Sequence, residues 1–97
     1  MYQNYVEKLK DGEVVSFRPS GNSMVSRIYS KQLVTISPNI EDIKQNDVVF
    51  CKVKGNFYVH LISALQGDRV QISNNKGHVN GWITRDKVYG KVIKVEN

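Results

Sequence analysis

Val48-Val49-Phe50-Cys51-Lys52-Val53-Lys54-Gly55-Asn56-Phe57-Tyr58-Val59-His60-Leu61-Ile62 holds two runs rich in β-branched and aromatic residues, parted by Gly55-Asn56. Such side chains fit a pleated, half-buried surface, and a two-residue glycine-containing break between two runs of this kind reads as a tight turn. The stretch therefore predicts an antiparallel hairpin of residues 48–54 and 57–62 around Gly55-Asn56. Side chains on a strand alternate between faces, so Tyr58 and Ile62 share one face with His60, while Val59 and Leu61 take the other. Lys52 and Lys54 alternate outward from Val49, Cys51 and Val53 and read as solvated.

Working outward, residues 69–73 form another strand after the Gly67-Asp68 break, followed by a turn at residues 74–77. Trp82, after Asn80-Gly81, reads as core or turn packing, and an exposed tryptophan there would mark a contact surface. Residues 88–95 close the chain as a last strand with Gly90 as a bulge. Upstream, residues 40–47 are polar and turn-rich, and residues 32–37 are a strand stopped at Pro38, which has no N–H to give a ladder. Residues 13–17 are a strand that feeds a turn, and residues 25–28 are too short to assign. At the start, Tyr2, Tyr5, Val6 and Leu9 recur at helical spacing, which predicts a short amphipathic helix lying as a lid on the rest. Five to seven short strands with this punctuation predict an all-β fold in the main, a small curled antiparallel structure with a short N-terminal helix.

Ninety-seven residues suit a single domain spanning 1–97 and leave no room for a second, DNA-binding headpiece. Hydrophobic content of 40% with 24% charged residues is that of an ordinary globular chain. No apolar run approaches the roughly 20 residues needed to cross a bilayer, and the N-terminus lacks the basic start and apolar stretch of a secretion signal. The expectation is a cytoplasmic protein without membrane contact. The lone cysteine, Cys51, reads as a buried small hydrophobe with no disulfide or metal partner, and no cofactor or metal is expected. The net charge of +5 favours polyanions, but the lysines and arginines are dispersed, so nucleic acid is expected to bind only weakly and without sequence preference.

Pro19-Ser20-Gly21-Asn22-Ser23-Met24 carries the chemistry. Proline, glycine and asparagine suit a sharp bend that would expose Ser23 between two apolar segments. A serine hydroxyl becomes a nucleophile only when a base takes its proton, so Ser23 needs a partner such as His60. Ser-Gly-Asn-Ser-Met resembles the motif around the nucleophile of signal peptidases and of the LexA-type repressor cleavage domain. In that family the base lies on a later strand after a valine, matching Val59-His60. Most members have lysine there, whereas the archaeal and eukaryotic secretory signal peptidases, like this chain, have histidine. Their later Lys-Gly-Asp-x-Asn segment is matched by Lys76-Gly77-His78-Val79-Asn80, with His78 in place of the acid. Asn46-Asp47-Val48-Val49 resembles the family's Gly-Asp-hydrophobic step, and residues 88–92 resemble its closing strand.

The resemblance runs over about residues 17–95 and implies a serine peptidase domain acting on a peptide or protein partner. It implies a catalytic Ser23–His60 dyad, a substrate groove at Gly21, Asn22 and Met24, and backbone amides near Ser23 as an oxyanion hole. Ser26 stands where the family has proline, and His78 brings no negative charge to a cationic imidazole, so activity is expected to be reduced or lost. His78, Asp68 and Asp47 are the candidate orienting or supporting residues. No small-residue–glycine pair precedes Ser23, which argues against LexA-style self-cleavage. Detached from headpiece and anchor, such a domain suits a phage or mobile-element protein. Two other readings stay open: a non-catalytic peptide- or protein-binding module and, on charge alone, a nucleic-acid-binding accessory protein.

Overall fold

The computed structural model describes residues 2–19 and 32–96. Its elements are helix α1 (Gln3–Lys10) and strands β1 (Val15–Phe17), β2 (Leu33–Ser37), β3 (Val48–Val53), β4 (Asn56–Gln66), β5 (Arg69–Ser73), β6 (Val79–Thr84) and β7 (Val88–Glu96), with a turn of 3-10 helix at Arg85–Lys87 before β7. The strands form one sheet in the order β1-β2-β7-β3-β4-β5-β6, and every pairing is antiparallel. The expected curled antiparallel fold with a short N-terminal helix is thus the observed one. None of the described helices is long and apolar enough to cross a membrane.

The hairpin that decides the fold forms one residue earlier than its composition suggests. Val53 pairs with Asn56, so the turn is Lys54-Gly55, with φ of 51° and 84°. Two consecutive left-handed residues are what a type I′ turn demands, because only its twist matches that of the flanking strands. Glycine takes the second of these positions without steric cost. Asn56 is freed to join the ladder, and β4 continues past Ile62 to Gln66 through a bulge at Ser63. Residues 79–84, where Asn80-Gly81 resembles a turn, form a further strand instead. Pairing runs Ile72↔Gly81 and then Ser73↔Val79, which makes Asn80 the extra residue of a bulge inside β6.

Two apolar clusters pack on opposite faces of the sheet. On one face, α1 lays Val6 and Leu9 over Val15, Phe17, Val34, Ile36, Val48, Phe50 and Val59. Phe50, 1% exposed, is the centre of an aromatic network reaching Phe17 at 5.1 Å, Phe57 at 5.8 Å and Tyr89 at 5.8 Å, while Tyr5 stacks on Phe17 at 4.5 Å. Offset and edge-on rings add about 0.5–1.5 kcal/mol per pair to the burial itself, so α1 is tied down as the expected lid. On the other face, Val49, Cys51, Val53, Ile62, Val70, Ile72, Ile83 and Val88 fill the inside of the curl formed by β3 to β6. The curl nearly closes: a Cβ placed on Gly81 of β6 would touch the Val53 side chain of β3 at 3.4 Å.

Gly90 lies where β7 runs alongside β2 and passes beneath α1, beside a bulge at Tyr89 that shifts pairing from Phe50↔Gly90 to Cys51↔Val88. A Cβ here would overlap Ile36 Cγ2, come within 2.6 Å of the Ser37 carbonyl oxygen and press on Leu9. Backbone and core side chain would both have to move. Gly90→Ala is expected to lower stability by about 1–3 kcal/mol, read as a fall in the denaturant midpoint at unchanged m; an unaltered midpoint would mean that the β2–β7 contact yields freely.

Candidate active site

His60 sits on β4 opposite Val49, between Tyr58 and Ile62 on the face turned into the curl. It is 2% exposed, with its ring 4.6 Å from that of Tyr58. Burying an imidazole among apolar side chains penalises its cation, and this lowers the His60 pKa below the usual 6.5. The hydrogen bond to Asn80 pulls the other way, and the nearby charge of His78 lowers it further. The outcome is a neutral ring at pH 7, able to accept a proton.

Nδ1 of His60 stands 2.7 Å from Asn80 Oδ1, while Nε2 is buried and has no hydrogen-bond partner among the described residues. Asn80 is the residue that reading the sequence missed. Two signals pointed to it: it fills the asparagine position of the Lys-Gly-Asp-x-Asn segment, and the glycine after it breaks an otherwise strand-like run.

The expected supports lie elsewhere. His78 belongs to the β5–β6 turn, where Asn74 Oδ1 accepts from its backbone N–H at 3.0 Å, and it acts on His60 only through its charge. Asp47 accepts from the Lys44 amide at 2.9 Å and pairs with the Lys91 ammonium at 3.5 Å. Asp68 lies in the β4–β5 turn, its carbonyl accepting from Arg85 N–H at 3.0 Å. Asn80, and none of these three, meets the ring. Ser23, Gly21, Asn22, Met24 and Ser26 lie outside the described residues.

Lys52 holds its ammonium 4.9 Å from the centre of the Phe57 ring, and Lys54 is in the type I′ turn. Trp82 points outward from β6, 38% exposed, under the guanidinium of Arg69 at 5.7 Å. It is not core, so it marks an outer surface. Burial pushes the Cys51 thiol up to about 12, which removes it as a nucleophile because the thiolate is the reactive species. Among the described residues, no group of three or more histidine, cysteine, aspartate or glutamate side chains could hold a metal ion.

The His60 environment has a consequence for stability. Because its folded pKa is depressed, the unfolded chain takes up the proton first as pH falls, so stability is whole above about pH 6.5 and declines below it until folded His60 itself protonates. Guanidinium unfolding from about pH 7.5 to about pH 5 is expected to show a loss that shrinks in His60→Gln. Identical pH slopes for the two proteins would contradict the buried neutral ring.

Two comparisons bear on this geometry. No curated protein matches the chain. A family model described as Peptidase S24-like matches residues 3–93, from α1 through most of β7, and so takes in His60, Asn80 and the Ser23 segment together. The chain belongs to the Peptidase S24-like family, the LexA and signal-peptidase type of fold that its motifs resemble.

Proposed function

We propose that this chain is a serine-peptidase domain in which Ser23 and His60 act as nucleophile and base on a peptide or protein partner. The observation that carries the reading is His60 itself: a buried, neutral imidazole with one nitrogen held and the other without a partner among the described residues. A buried polar atom without a partner costs about 1–3 kcal/mol, and a catalytic role is one of the reasons a fold keeps one. In the reaction, His60 takes the Ser23 hydroxyl proton as Oγ attacks the peptide carbonyl carbon. Amides near Ser23 hold the oxyanion, and the imidazolium returns the proton to the departing amine. Water then repeats the sequence to free the acyl group.

Low turnover goes with this environment. The imidazolium forms in an apolar pocket beside a neutral amide and near a second histidine, and among the described residues no carboxylate meets it as in an aspartate triad. That same lack of negative charge favours, as the second reading, a domain that holds an extended peptide without cutting it.

A fluorophosphonate probe with peptide mapping separates the two. Ser23 is expected to be labelled, with the rate falling as pH drops through the His60 titration. His60→Ala should slow labelling by about 10²- to 10⁴-fold while the protein stays folded, and Ser23→Ala should abolish it. An inert wild type, or equal labelling in His60→Ala, would leave Ser23 as a feature of the fold only.

A further inference from the structure

Strand β6 carries an irregularity in the one place that touches His60. Along β5 and β6, Val70 and Ile72 point into the curl opposite Ile83 and Gly81, whereas Trp82 points outward opposite Gln71. Unbroken alternation would set Asn80 outward with Trp82, paired with Ser73. Instead Val79 takes the Ser73 position and Asn80 is the unpaired residue of the bulge. A bulge re-aims a side chain, and here the Asn80 amide reaches the His60 ring on β4, two strands away in the sheet.

We propose that Asn80 is the positioning residue for His60: its Oδ1 accepts the Nδ1–H hydrogen bond, fixing the tautomer whose free lone pair is on Nε2. A distance of 2.7 Å is at the short end of the N–H···O range. A neutral imidazole has one ring proton, so the proton that Asn80 holds at Nδ1 is absent from Nε2. Only the latter nitrogen then has the capacity to take a hydroxyl proton. The place left open by His78 at the family's acid is therefore filled two residues later by an amide, which orients the ring and selects the tautomer without supplying charge. Unrelated peptidases pair a catalytic histidine with asparagine for the same task. Among the described residues, Tyr58 from its own strand and Asn80 meet the ring, and His78 acts on it through its charge.

This inference deepens the dyad reading and rests on it for its catalytic consequence, but the tautomer is measurable without any activity. In protein carrying ¹⁵N-histidine, long-range ¹H–¹⁵N spectra above the His60 titration are expected to show His60 with a protonated Nδ1 and a pyridine-like Nε2. Asn80→Leu, similar in volume and lacking an acceptor, should shift His60 toward the Nε2–H form, while Asn80→Asp should keep the wild-type tautomer and raise the pKa. Labelling of Ser23 should slow on the order of tenfold or more in Asn80→Leu and recover in Asn80→Asp. A proton on Nε2 in the wild type overturns the proposal, and so does an Asn80→Leu spectrum identical to it. If the tautomer behaves as expected while Ser23 never labels in any variant, Asn80 positions His60 and the peptidase reading is the one that falls.

Discussion

Burial of β3 on both faces is the constraint from which the architecture follows. Val48 and Phe50 point to one side, Val49, Cys51 and Val53 to the other, and all five are under 9% exposed. A strand in that position needs a cover on each face. The helix and its aromatic anchors supply one. The sheet supplies the other by curling β4, β5 and β6 back toward the end of β3. His60 is carried inside by pairing, because it sits opposite Val49. A slip of one residue would exchange the two faces of β4, sending His60 under the helix and Val59 into the curl. The apolar pattern that builds the core is thus also what keeps the imidazole dry.

Position and proton state of His60 have separate origins. Register sets where the ring lies and how much water it loses, whereas orientation about its own axis comes from Asn80, which arrives through a bulge. A regular ladder could not have delivered both, since the residue needed beside His60 sits on a strand whose next side chain, Trp82, faces away. Departures from ideal pairing at Ser63, Asn80, Tyr89 and Ile93 bend and twist the strands that carry them. One of them is spent on the candidate site.

Much of this was legible in the residues. The alternation in 57–62 gave the face of His60, the spacing of Tyr2, Tyr5, Val6 and Leu9 gave the helix, and Ser-Gly-Asn-Ser-Met with Val59-His60 pointed to the family. What escaped was non-local. Asn80-Gly81 has the composition of a turn, and only the β5 partner shows that it is a bulge within a strand. The Lys54-Gly55 turn was displaced by one because asparagine and glycine both tolerate left-handed backbone, so composition does not choose between 54-55 and 55-56. The supports looked for beside His60 were charged groups, since charge is what sequence displays, and an amide brought in by a kink leaves no such mark.

The bulge in β6 also bears on how the molecule meets its neighbours. Among the described residues β6 ends the sheet, and a sheet's last strand offers a row of open amides and carbonyls to any passing extended chain. Val79 and Trp82 would add apolar grip to such an encounter. With Asn80 displaced from the ladder, the regular spacing of that row is broken after its second residue, leaving Gly81–Thr84 as a template too short to seed stacking between copies. The irregularity that brings the amide to the histidine also makes the rim of the sheet a poor place for aggregation to begin.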